Sequence, residues 1–190
     1  EEVRPEQAQA KLRAVIGLNR AIGSSLSLDE VLPRLLDGLF DAFPRAERGF
    51  VLLADASSKR LLLRARKVRG TPQQGPLRLS LSLIDRVVRS RRAILSADAA
   101  ADSRFKASES VVDCSIRSVM CVPFLGDDGN VLGVIQLDSR DIRAGFDQSD
   151  LEVLVGIAGQ AAQAVEQAVA HDHRVQQEQL NRDLELAHRV

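Results

Sequence analysis

The sequence predicts an α+β domain, a mostly antiparallel central sheet flanked by helices, on three observations. Ile116 to Leu125 and Val131 to Asp138 are apolar runs joined by the polar, glycine-bounded turn Gly126-Asp-Asp-Gly129, the pattern of an antiparallel hairpin. Gly49 to Ala54 and Leu61 to Val68 form a second pair of runs around another short polar turn. Apolar residues at three- and four-residue steps, which mark one face of a helix, lie before that pair and after the hairpin.

Taken in order, Leu12, Val15, Ile16, Asn19 and Ile22 form one helical stripe between Pro5 and Ser24. Ser27-Leu-Asp-Glu30 has capping-box spacing, in which each end satisfies the other's backbone donor. The helix it opens carries Val31, Leu32, Leu35, Leu36, Leu39 and Phe40 on one face. Pro33 is tolerated only in a first turn, which favours a start at Asp29 over Ser27. Gly49 to Ala54 predicts a buried strand. Leu61 to Val68 predicts one with a wet face, because Leu61, Leu63 and Ala65 alternate with Arg64 and Arg66.

Past a loop at Gly70 to Pro76, Leu77 and Leu79 predict a brief strand. Ser80 or Ser82 then caps a helix through Leu83, Ile84, Val87 and Val88. Arg86, Arg89, Arg91 and Arg92 close that helix by complementing its dipole in solvent. Ala93 to Ser96 is a third buried strand. Ala97 to Ser115 is irregular, with a short helix at Ser108 to Asp113, and the hairpin completes the sheet.

From Asp147, with Asp147 or Ser149 as cap, the pattern is helical to the end. Leu151, Leu154, Ala158, Ala161, Val165 and Ala168 follow the three-then-four spacing of a close-packed seam. Leu180, Leu184 and Ala187 resume it after a step that loosens a supercoil. The first turns can pack on the domain's own sheet, but beyond Val169 a solitary polar helix is marginal in water. The expectation is a parallel homodimer whose bundle joins Leu154, Ala158, Ala161 and Val165 to the Leu12, Val15, Ile16 and Ile22 stripe. The expected partition is an N-terminal helix at 1–26, a globular domain at 27–168 and a signalling helix at 169–190. The absent initial Met and the helical pattern at Val190 predict a fragment whose output domain lies further along the same chain.

Lys plus Arg equal Asp plus Glu at 26 each, so the electrostatic footprint of a nucleic-acid or anionic-membrane binder is missing. No apolar run approaches a membrane span and no signal peptide opens the chain, which favours the cytoplasm. The only cysteines are Cys114 and Cys121, too few for a disulfide framework. Cys121 lies in an apolar run and reads as a small hydrophobe. All three histidines (His171, His173 and His188) fall in the C-terminal extension, leaving the domain no imidazole for a metal, haem or proton transfer. No cofactor and no metal is expected.

Ser118 to Pro123, the polar hairpin, Gly133 and the long helix together resemble the closing half of a GAF domain, and the likeness extends over about Ser27 to Ala168. That resemblance implies a sensory module without chemistry of its own. It also implies an unidentified small-molecule ligand held between the sheet and Ala97 to Ser115. Leu95, Asp98, Arg104, Phe105, Ile116 and Ser118 are the candidate lining residues, since long loops in compact domains are commonly functional. The cyclic-nucleotide members' pattern is met only in part. Phe146 and Asp150 match, while Asp138-Ser139 stands where Asn-Lys is usual and Leu151 replaces Glu. Haem and bilin sensors need an axial His or an attachment Cys with a neighbouring His, and Cys114 is followed by Ser115.

Two alternatives stay open. Some members reduce free methionine sulfoxide with paired cysteines. Cys114 beside Arg117 would be the nucleophile, although the third cysteine common in that group is missing. The other alternative is a ligand-free dimerising spacer whose pocket its own side chains fill. Leu180 to Val190 is similar to the helix preceding bacterial PPM-type serine phosphatases that act on anti-sigma-factor regulators. That likeness implies such a phosphatase as output, with a histidine kinase the other candidate.

Overall fold

The computed structural model describes residues 27–55, 57–58, 60–70, 79–99, 102, 116–141 and 145–187. Its elements are α1 (Leu28–Ala42), β1 (Arg48–Ala54), β2 (Leu61–Val68), α2 (Leu81–Ser90), β3 (Ile94–Ser96), β4 (Ser118–Leu125), β5 (Val131–Ser139) and α3 (Gln148–Ala187). The strands form one sheet in the order β2-β1-β5-β4-β3, and every neighbouring pair is antiparallel. The α+β class and the element order are those expected. The N-terminal stripe, the Leu77 strand and the Ser108 helix lie outside the described residues.

The sheet buries both faces because its central strands are apolar at nearly every position, not at alternate ones. Val51, Leu53, Met120, Val122, Phe124, Ile135 and Leu137 pack on one face against α1 and α3. Phe50, Leu52, Val119, Cys121 and Val134 pack on the other against α2. The second layer is thinner: α1 buries eight side chains, whereas α2 buries Leu83, Ile84 and Val87. Each fully buried Leu or Val contributes roughly 1.5–3 kcal/mol, so α2 is the element held more lightly.

Local chemistry departs from expectation at three places. Ser27 makes no side-chain cap bond and α1 starts at Leu28. Pro33 therefore sits in the second turn, where its missing N–H leaves the carbonyl of Asp29 to water; both residues are exposed. The reciprocal cap forms instead at α3: Asp150 N–H donates to Asp147 Oδ1 at 2.9 Å and Asp147 N–H to Asp150 Oδ2 at 3.1 Å. A capping box needs a side-chain acceptor at each end, and Asp147-x-x-Asp150 supplies two carboxylates. In β2 the register with β1 slips at Val51/Leu52. This bulge takes Arg64 out of the ladder and breaks the expected alternation, so Leu62 and Leu63 are both exposed.

The hairpin turn closes through Gly126 N–H to the carbonyl of Asn130 and Gly129 N–H to the carbonyl of Gly126, each at 2.9 Å. Gly129 has φ +75°, a conformation that a β-carbon disfavours.

Candidate functional site

The faces of the sheet divide the residues expected to line a pocket. Leu95 pairs with Met120 and packs with it in the layer of α1 and α3. Ser118, two residues before Met120, shares that face. Its hydroxyl donates to the carbonyl of Ser96 at 3.1 Å and accepts Phe146 N–H at 2.9 Å. Strand alternation thus points both side chains at α1 and α3, on the side of the sheet opposite α2. Ile116 does belong to the α2 layer. The carbonyl of Asp98 accepts Asp102 N–H at 3.0 Å, shaping the turn after β3. Arg104 and Phe105 lie outside the described residues.

Ser118 is accordingly a fastener between β3, β4 and the entry to α3. Ser118→Ala is expected to lose about 1–3 kcal/mol by stranding two buried backbone groups, which chemical denaturation will measure.

The same alternation collects a different set beneath α2. The ladder aligns Arg66, Phe50, Gln136, Cys121 and Ile94 in one cross-strand row, and Val68, Arg48, Asp138, Val119 and Ser96 in the next. Gln136 and Asp138 are both fully buried at the middle of the sheet. Arg48 Nε donates to Asp138 Oδ1 at 2.6 Å and Gln136 Nε2 to Asp138 Oδ2 at 2.8 Å. Burial pushes the Asp138 carboxyl above the usual carboxylate range, against the charge and hydrogen bonds of Arg48 and Gln136. Gln136 Oε1 is the one buried side-chain polar atom without a hydrogen-bond partner among the described residues. Sequence reading weighed Asp138 only against the cyclic-nucleotide pattern and passed over Gln136, yet the signal for their pairing was there. Two polar residues two apart in an apolar strand must share a face.

Cys121, beside Gln136, is unsuited to redox chemistry. Burial, with the nearby charge of Asp138, pushes its thiol far above the usual range, and a thiol held neutral is a poor nucleophile. Cys114 lies outside the described residues. The two positions shared with cyclic-nucleotide members have structural roles, Phe146 in the core and Asp150 as a cap. Among the described residues no group of three or more His, Cys, Asp or Glu could hold a metal, and no helix is long and apolar enough to cross a membrane.

At the end of β5 a second polar cluster ties that strand to the connection between α1 and β1. Glu47 accepts Arg140 Nε at 2.9 Å, Arg140 N–H at 3.2 Å and the Ser139 hydroxyl at 3.2 Å. Burial alone would raise its pKa, but the hydrogen bonds and charge of Arg140, with Ser139, hold it below the usual glutamate value. Arg45 Nη1 reaches the carbonyl of Gly145 at 3.0 Å.

The expected dimer seam is corrected. Leu154, Ala158, Ala161 and Val165 are at most 1% exposed within one chain, in the core with α1 and the sheet. A face already covered by its own subunit has no area to give a second one. Leu12, Val15, Ile16 and Ile22 lie outside the described residues. The exposed apolar side chains of α3 are instead Val155, Val175, Leu180, Leu184 and Leu186.

The architecture is shared. The GAF domain from an Acinetobacter phosphoenolpyruvate-protein phosphotransferase matches with a TM-score of 0.65 at 23% identity, over 88% of this chain and 97% of that one. A free methionine-R-sulfoxide reductase from Neisseria meningitidis, in complex with its substrate, matches with 0.67 at 20% identity, over 89% and 95%. A methyl-accepting chemotaxis protein, residues 122 to 287, gives 0.60 at 23% identity, over 80% and 96%. No curated protein matches the sequence. A family model described as GAF domain matches residues 25–166, a span that takes in the whole sheet, both covering layers and most of the buried length of α3. The chain belongs to the GAF domains, a family of regulatory sensory modules that are generally not catalytic.

Proposed function

We propose that the chain is the sensory domain of a cytoplasmic bacterial signalling protein. It binds a small molecule on the α2 face of the sheet and passes the change through α3 to an output domain, a PPM-type serine phosphatase. The observation that supports this most is the double role of α3. It is one continuous helix from Gln148 to Ala187, buried as far as Ala168 and exposed throughout from His173. Its entry is bonded to the start of β4, where the Ser118 hydroxyl accepts Phe146 N–H at 2.9 Å, and β4 pairs along its length with β5, the strand that carries Gln136 and Asp138. A shift of β5 therefore reaches the base of α3 through its neighbour β4. For the coupling to be allosteric, a ligand must favour one of two α3 placements over the other.

A homodimer is part of this reading, with Leu180 and Leu184 in the paired helices. Leu180→Asp/Leu184→Asp is expected to convert a dimer to a monomer while leaving the melting temperature of the globular part unchanged. Sedimentation at roughly 50 μM and calorimetry check both halves.

The ligand-free spacer is the second reading. It is favoured by Phe50, Leu52 and Val134, which the chain's own atoms cover almost completely. A thermal-shift screen of metabolites separates the two. A ligand at about 100 times its Kd stabilises the native state by about 2.7 kcal/mol, and a screen in which nothing raises the melting temperature sinks the sensory reading.

A further inference from the structure

Gln136 has a fixed orientation. A carboxylate only accepts hydrogen bonds, so the bond to Asp138 Oδ2 places Nε2 on that side and turns Oε1 away. The flipped amide would set oxygen against oxygen. Nε2 thus spends one of its N–H groups on Asp138, and the atom left wholly unpartnered is the acceptor Oε1. That acceptor is fully buried and unpartnered among the described residues, between Phe50 on β1 and Cys121 on β4. Buried polar atoms in folded proteins are nearly always paired, and an orphan in the sheet's central strand is an unmet requirement for a donor.

The surroundings restrict what can meet it. Phe50, Leu52, Val119, Cys121 and Val134 make the neighbourhood apolar. Arg48 and Asp138 already neutralise each other at 2.6 Å, so an incoming ammonium group would add an uncompensated charge to a low-dielectric site. A neutral N–H or O–H carries no such penalty. Access is least costly at α2, which is held by three buried side chains, and lightly packed elements open first.

We propose that Gln136 Oε1 is the recognition point of the sensory site, and that it selects a neutral small molecule presenting an N–H or O–H donor from a mainly apolar body, such as a carboxamide or a lactam. This rests on the reading of the α2 face as the ligand face. A ligand without the donor would bury Oε1 unpaired, and sites built on such an acceptor reject those analogues strongly.

The test is calorimetric titration of the 190-residue chain with nicotinamide, uracil and 2-piperidone. Each is set against its N-methylated counterpart: N,N-dimethylnicotinamide, 1,3-dimethyluracil and N-methyl-2-piperidone. The expected result is binding by at least one parent, at least about tenfold weaker binding by its methylated form, and a comparable loss in Gln136→Met. Butylammonium is expected not to bind. The methylated series uses the unaltered protein, so it decides the matter even if Gln136→Met folds poorly. No binding by any parent, equal binding by a methylated form, or full binding by a folded Gln136→Met overturns the proposal. The sensory reading falls separately. Equal binding by the methylated forms leaves it standing, whereas a metabolite screen with no hit removes it as well.

Discussion

Gly133→Ala is expected to destabilise the protein by about 3 kcal/mol or more, at the upper end of overpacking effects, lowering the melting temperature by roughly 10 °C. A β-carbon at Gly133 would stand 2.2 Å from the carbonyl oxygen of Leu52, 2.8 Å from Leu53 Cδ2 and 3.1 Å from Leu53 Cα. Two of those atoms are backbone, and β1 is locked on its far side by β2. No rotamer change relieves the clash, so β1 and β5 must part or twist at the centre of the sheet. Gly159→Ala makes the control. Nothing lies within 4 Å of its built β-carbon, and the residue is exposed inside α3. It is expected to raise stability by up to about 1 kcal/mol through helix propensity. Thermal denaturation of the two variants side by side tests the register Leu53↔Gly133, and a Gly133→Ala that melts like the parent refutes it.

Arg48→Met is expected to cost about 3–5 kcal/mol, the usual consequence of leaving a buried charge without its partner. Most of the loss is expected to return in Arg48→Met/Asp138→Asn, because the amide oxygen that replaces the carboxylate can still accept from Gln136 while carrying no charge. The sign of the pH dependence follows from the same groups. Burial raises the Asp138 carboxyl and Arg48 opposes that rise, so removing Arg48 lets the folded-state pKa climb further above its unfolded value. The deficit of Arg48→Met is then full above the folded pKa and shrinks as pH falls through it towards the unfolded one. The gap to the parent protein is expected to narrow on acidification towards the ordinary carboxylate range. Urea unfolding at several pH values measures it, and a gap that widens on acidification contradicts the assignment.

Much of this architecture was legible because period and punctuation agree. Leu61 to Val68 and Val131 onward are bounded by turn residues, and both strands lie where the apolar runs predict them. Side-chain direction was harder to read. Leu95 and Ser118 flank Ala97 to Ser115 in sequence, and only the pairing Leu95↔Met120 shows that they turn to α1 and α3. The α3 seam misled for a related reason. Small residues at three-then-four spacing allow close approach to any partner, and here that partner is the chain's own sheet and α1. The bulge at Arg64 had no sequence mark at all, since neither Gly nor Pro flags it. Gln136 was hidden by its setting: one polar residue in an apolar run reads as tolerated until the ladder shows both neighbours and its lone acceptor.

The unbroken passage of α3 out of the core has a geometric consequence. Ala168 is the last fully buried residue and the helix runs on to Ala187, an overhang of roughly 28 Å at 1.5 Å per residue. A pivot of only about 5° at the root, the scale of one displaced side chain, swings the far end by roughly 2.5 Å. Sub-ångström rearrangement beneath α2 would thus be magnified at the tip into a displacement about half the pitch of a helix.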